Sequence, residues 1–84
     1  MVNSSAIKLA LGAALREARL EKDLSLADVA EVTGRSKGNL SQLETKGTGL
    51  TIDALYDVCT AIGIKPSTII RSAEKNDQSN TDKL

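Results

Sequence analysis

Apolar residues recur along this chain in five separate blocks, each at the three- and four-residue steps of an α-helix. Ile7, Leu11, Ala14, Leu15 and Ala18 form the first and predict a helix over about residues 5–22. Ser4 or Ser5 serves as its N-cap, and Lys8, Glu17 and Glu21 occupy its polar side. Asp23 and Leu24 break the pattern. A second helix over residues 25–33 turns Leu26, Val29 and Ala30 inward, with Val32 near that edge. Ser25 and Asp28 have the spacing of a capping box, with Asp where Glu is preferred. Gly34 supplies the positive φ of a tight stop. Ala30 is the small residue where two steeply crossing helices touch. A third, shorter helix is capped by Ser36 and has one apolar edge, Leu40 and Leu43, with Glu44 beside them. A fourth follows the N-cap Thr51, carries Leu55, Val58, Cys59 and Ile62 on its inner stripe, and ends at Gly63. A fifth begins near Pro66, an allowed first-turn position, with Ile69 and Ile70 as its apolar content. Beyond Ala73 the chain is polar and aperiodic, which predicts a domain over residues 1–73 and a disordered polar tail over 74–84. The expected fold class is all-α, with five helices.

The second and third helices, joined by a short Gly-containing turn, form a helix-turn-helix if the third is polar on its outer side. Roughly 100° per residue separates successive side chains, with Leu40 taken as the inward reference. Gly38, Gln42 and Thr45 then face directly away, while Asn39 and Ser41 lie on the flanks. Amide, hydroxyl and basic groups in that arrangement suit the base edges and phosphates of a DNA groove. Gln42 is the candidate base reader, because an amide pairs bidentately with adenine. Arg35 and Lys37 can each reach guanine or a phosphate, and the sequence does not separate the two roles. Ser36 either caps alone or also bonds phosphate. Lys46 is a phosphate contact. Gly38 costs about 1 kcal/mol relative to Ala in a helix. It either lets the backbone approach DNA closely or is a tolerated weak spot.

Composition narrows the classes. The 84 residues carry equal numbers of acids and bases, 11 of each, so net charge gives no electrostatic footprint for nucleic acid. Its distribution does: Arg35, Lys37 and Lys46 stand between segments whose charges are acidic, Asp28 and Glu31 before, Asp53 and Asp57 after. The acids on the fourth helix read as a solvated face. One aromatic residue, Tyr56, is too few for a base-stacking platform. Tyr56 suits either a dimer seam or the edge of the core. With no His and one Cys, a disulfide or zinc site within one chain is excluded, and Cys59 reads as a small core side chain. No apolar run reaches membrane-spanning length and the first residues lack a secretory signal, so a cytoplasmic location without membrane or cofactor is expected. No P-loop or catalytic cluster is present, so an enzyme is not expected.

Leu15-Arg16-Glu17-x-Arg19, Leu24-Ser25-Leu26-x-x-Val29-Ala30, Gly34-x-Ser36-x-x-x-Leu40-Ser41-x-Leu43-Glu44 and Leu55 through Ile64 follow one another with matching spacings. This ordered set resembles the phage Cro/repressor-type (XRE-like) helix-turn-helix domain over about residues 11–70. The resemblance implies a five-helix, lambda-repressor-like fold, a symmetric dimer on a double-stranded DNA operator, and transcriptional control of repressor type. It also implies an ion pair between Arg19 and Glu44 that locks the third helix to the first. Relatives place a glutamine just after the second helix's cap to touch the DNA backbone. Leu26 stands there in this chain, which leaves the Ser25 hydroxyl or the helix amides for that contact. The Leu50-Thr51-Ile52-x-x-Leu55 entry to the fourth helix is similar to restriction–modification controller proteins, a related alternative. A second alternative is an antitoxin whose main partner is a toxin protein. The thin core of so small a chain, together with Ile64, Ile69 and Ile70, predicts a homodimer through the fifth helix, either alone or together with the fourth. Its reading helices would then lie about 34 Å apart, one turn of DNA.

Overall fold

A computed structural model describes residues 4–76 as five helices. They are α1 (Ser4–Glu21), α2 (Leu26–Thr33), α3 (Lys37–Lys46), α4 (Ile52–Ile62) and α5 (Pro66–Asn76), with no strand among the described residues. None of these helices is long and apolar enough to cross a membrane. The long α1 is the scaffold: α3 packs against it on one side and α5 on another, while α2 packs on α3 and α4.

The local chemistry of the ends follows the sequence closely. The Ser25 Oγ accepts from the Asp28 N–H at 3.0 Å, and Asp28 Oδ2 accepts from the Ser25 N–H at 2.8 Å, completing the capping box. Those two bonds favour the charged carboxylate and hold the Asp28 pKa below its ordinary value. Gly34 closes α2 in the left-handed region at φ 76°. Ser36 caps α3 and Thr51 caps α4, each accepting from the N–H three residues on. Asp23, at φ 58°, ends α1 in the same left-handed conformation that glycine usually supplies.

The core is built from small and branched side chains. Leu15, Ala54 and Cys59 are fully enclosed, with Val29, Leu40, Leu43, Leu55, Val58, Ile62 and Ile69 around them. Burial pushes the Cys59 thiol up to about 11, so it stays protonated and unreactive at neutral pH. Leu26 and Ala30 are half-buried against this cluster.

Three expectations need correction. Val32 is 68 % exposed, because α2 is only two turns long and its inner edge is filled by Val29. Helix α5 runs on to Asn76, past Ala73, so residues 74–76 belong to the helix; the remaining tail, residues 77–84, lies outside the described residues. Ile69 is 2 % exposed inside the chain's own core, where α5 packs on α1, and is closed to a second copy. Ile64 is half-buried against the same core, and of the three isoleucines Ile70 alone is exposed, at 38 %.

Two glycines show how close α1 comes to α3. A Cβ on Gly12 would collide with the Leu43 carbonyl oxygen and lie 2.9 Å from the Glu44 carbonyl oxygen. Gly47 closes α3 at φ 71°, and a Cβ there would lie 2.7 Å from the Lys8 carbonyl carbon. Helix α1 thus runs close under the end of α3.

Candidate nucleic-acid interface

Helix α3 has two chemically opposite sides. Leu40 and Leu43 are 2 % and 1 % exposed, and Glu44 is buried beside them. Lys37, Gly38, Gln42, Thr45 and Lys46 are all exposed. The 100° arithmetic and the packing thus agree on which way the helix faces.

What fixes the helix is a buried ion pair at its last turn. Arg19 Nε donates to Glu44 Oε2 at 2.7 Å and Nη2 donates to Glu44 Oε1 at 3.0 Å, a bidentate fork. The remaining nitrogen, Nη1, donates to the Leu24 carbonyl at 2.6 Å, tying the α1–α2 connection to the same point. Its hydrogen bonds to Glu44 hold the guanidinium pKa above its ordinary value, against the opposing effect of burial.

The two helix N-termini on this side carry exposed serines. Ser25 Oγ and Ser36 Oγ each accept one backbone N–H, from Asp28 and from Asn39, both at 3.0 Å. A hydroxyl that accepts in this way still has its own proton to donate. Capping is therefore compatible with a bond to a phosphate oxygen at either serine. Thr45 donates its hydroxyl proton back to the Ser41 carbonyl at 2.8 Å and is exposed. The Lys8 backbone lies against Gly47 at the end of α3, and Lys8 itself is exposed. Sequence reasoning assigned Lys8 only to a polar side, because nothing along the chain says that α1 runs under the end of α3.

The candidate set does not converge entirely. Arg35, expected to reach guanine or a phosphate, turns toward α4 instead: Nη2 donates to Asp57 Oδ2 at 3.0 Å. Asn39 and Ser41 are half-buried on the flanks, and the Asn39 Oδ1 is enclosed. Asp57 was read as part of a solvated face, and no spacing in the sequence links it to Arg35, 22 positions earlier. The groove between α2 and the start of α3 is lined by Asp28, Glu31 and Lys37, so two carboxylates border the basic end of the helix.

The comparisons with known proteins follow this geometry. Residues 10–69 match the family described as a helix-turn-helix domain. Two crystal structures of the clp gene regulator ClgR from Corynebacterium glutamicum are similar. One shares 34 % identity at a TM-score of 0.80, covering 83 % of this chain and 91 % of that one. The other shares 31 % identity at a TM-score of 0.83, covering 92 % and 82 %. The restriction–modification controller protein C.AhdI from Aeromonas hydrophila has the same fold, with a TM-score of 0.68 and 24 % identity over 73 % of this chain and 92 % of that one. No curated protein sequence matches the chain.

Proposed function

Because the chain belongs to the helix-turn-helix domain family, we propose that it is a sequence-specific double-stranded DNA-binding regulator of transcription. It works as a homodimeric repressor of phage or mobile-element type, inside the cell, by binding rather than by catalysis. One observation carries this reading: α3 is pinned by buried Leu40, Leu43 and Glu44, and its opposite side offers Lys37, Gln42, Thr45 and Lys46 to solvent. The 34 % identity to a clp gene regulator supports the regulatory role. Exposed Ile52 and Tyr56, one turn apart on α4, and Ile70 on α5 support a self-associating surface through those two helices.

In this reading Gln42 reads a base, Lys37 reads a base or a phosphate at the N-terminal end, and Lys46, Ser25 and Ser36 hold phosphates. Selection of bound duplexes from a random pool tests it. Recovery of a paired, inverted half-site is expected, and recovery of no consensus overturns the proposal. On the recovered duplex, Gln42→Ala should relax preference at one position by about 1–3 kcal/mol. Lys46→Ala should weaken binding to every sequence and lower the salt slope by about one.

Gly38 gives a separate test of how close the backbone comes. The nearest atom to a Cβ there is the Ser36 Oγ at 4.0 Å, so the position has room. Gly38→Ala should stabilise the free protein by about 0.5–1 kcal/mol. A simultaneous fall in DNA affinity, measured by fluorescence anisotropy, identifies close approach to the groove; unchanged affinity identifies a weak spot in the helix.

A further inference from the structure

Helix α3 is anchored at its last turn by an ion pair and along its inner side by buried Leu40 and Leu43. The Arg19–Glu44 pair fixes its last turn to α1. Its ten residues make a rod of about 15 Å. Lys37 lies about 10 Å along the helix from Glu44, so a pivot of roughly 11° about Glu44 would carry the Lys37 end through about 2 Å. That displacement breaks hydrogen bonds, whose heavy atoms must stay near 2.9 Å apart. Apolar contact at Leu40 and Leu43 is non-directional, so reading bases along the helix calls for a directional tie near the first turn as well.

Arg35 stands at that end, immediately before the Ser36 cap, and its side chain folds back rather than outward. Its pair with Asp57 Oδ2 at 3.0 Å is the ion pair, among the described residues, that ties the α2–α3 turn to α4. The Arg35 side chain is 26 % exposed, and its Nε–H is buried without a partner. Asn39 Oδ1, one helical turn further along, is likewise buried without a partner. The Asn39 amide lies toward the loop that leads into α4, with its Nδ2 3.8 Å from where a Gly49 Cβ would sit. Arg35 and the Asn39 amide are thus drawn toward α4 and its entry loop, while Ser36 and Lys37 stay exposed.

We propose that Arg35 and Asp57 form a clasp that sets the angle of α3, making Asp57 a positioning residue for operator discrimination that acts through Arg35. This rests on the DNA-reading proposal above. The Asp57 side chain is 52 % exposed, so the clasp adds little to stability. Its loss shows in discrimination rather than in Tm.

The test uses the full chain, the duplex recovered by selection, and a shuffled duplex of equal length. Arg35→Ala and Asp57→Ala should each lower the preference for the selected duplex by about five-fold, the upper range for an exposed pair, with Tm nearly unchanged. The swap Arg35→Glu/Asp57→Arg should restore the preference. If Arg35 were a phosphate contact held back by Asp57, Arg35→Ala would weaken both duplexes equally and lower the salt slope by about one, while Asp57→Ala would tighten both. That result, an unchanged preference in both single variants, or a swap that stays low would overturn the clasp while leaving DNA reading intact. Failure of the wild-type chain to select any duplex would instead overturn DNA reading, and the clasp with it.

Discussion

Arg19→Ala is expected to lower folding stability by about 3–5 kcal/mol. The loss has three parts. Glu44 is left as a buried carboxylate with neither of its two guanidinium donors. The Leu24 carbonyl loses its 2.6 Å donor. The aliphatic part of the arginine, packed between α1 and α3, leaves a gap. Domains of this size hold only about 0.05–0.15 kcal/mol per residue, so the variant sits near the edge of folding. Thermal unfolding followed by circular dichroism should show Tm falling by more than about 12 °C. An unchanged Tm would remove the pair from any structural role. The asymmetry of buried pairs gives a sharper check: Arg19→Met combined with Glu44→Leu should recover much of the loss, since it leaves no charge stranded. Recovered stability without recovered DNA affinity would then separate the strength of the pair from the orientation it imposes on α3.

Gly12→Ala carries the second large effect, and here two forces oppose each other. Inside a helix the change normally gains about 1 kcal/mol, because alanine gives up less backbone freedom on folding. At this position the new methyl group meets the Leu43 carbonyl oxygen and the Glu44 carbonyl oxygen, both main-chain atoms of α3 that cannot rotate away. Forcing α1 and α3 apart costs about 1–3 kcal/mol, as overpacking does elsewhere. Contact outweighs propensity, so net destabilisation is expected in urea denaturation. Displacing α3 also loosens Arg19–Glu44, so DNA affinity should fall further than stability alone accounts for. A stabilised variant would mean that the two helices have slack between them.

Much of the fold was readable because local chemistry and periodicity agree with the tertiary result. The Ser25–Asp28 box, the Gly34 stop and the Ser36 and Thr51 caps are signals spanning four residues or fewer. Glu44 is the more instructive case. A charged residue within the apolar arc of a helix demands a partner, and the family likeness pointed to Arg19. Other features depend on where elements pass one another, which no periodicity records. Gly12 looks like a propensity defect in an alanine-rich helix until α3 lies across it. Arg35 precedes a cap, where the side chain can swing in any direction, and its partner is on a helix not adjacent in sequence. Ile69 and Ile70 read alike along the chain, yet one fills the core and the other faces out. Glu74 and Lys75 are polar and exposed on the last turn of α5, and polarity alone does not distinguish that from a tail.

The pairing of α5 with α1 sets an order on biosynthesis. Ile69 and Ala73 complete the core against a helix made at the opposite end of the described chain. Before α5 emerges from the ribosome, α2 and α3 are already outside and the groove that α5 fills on α1 is open to solvent. Such a chain holds α1, α2 and α3 but lacks the α5 side of the core. On the DNA-reading proposal, competence to engage an operator should therefore arrive only once α5 has docked, rather than grow as the motif is translated.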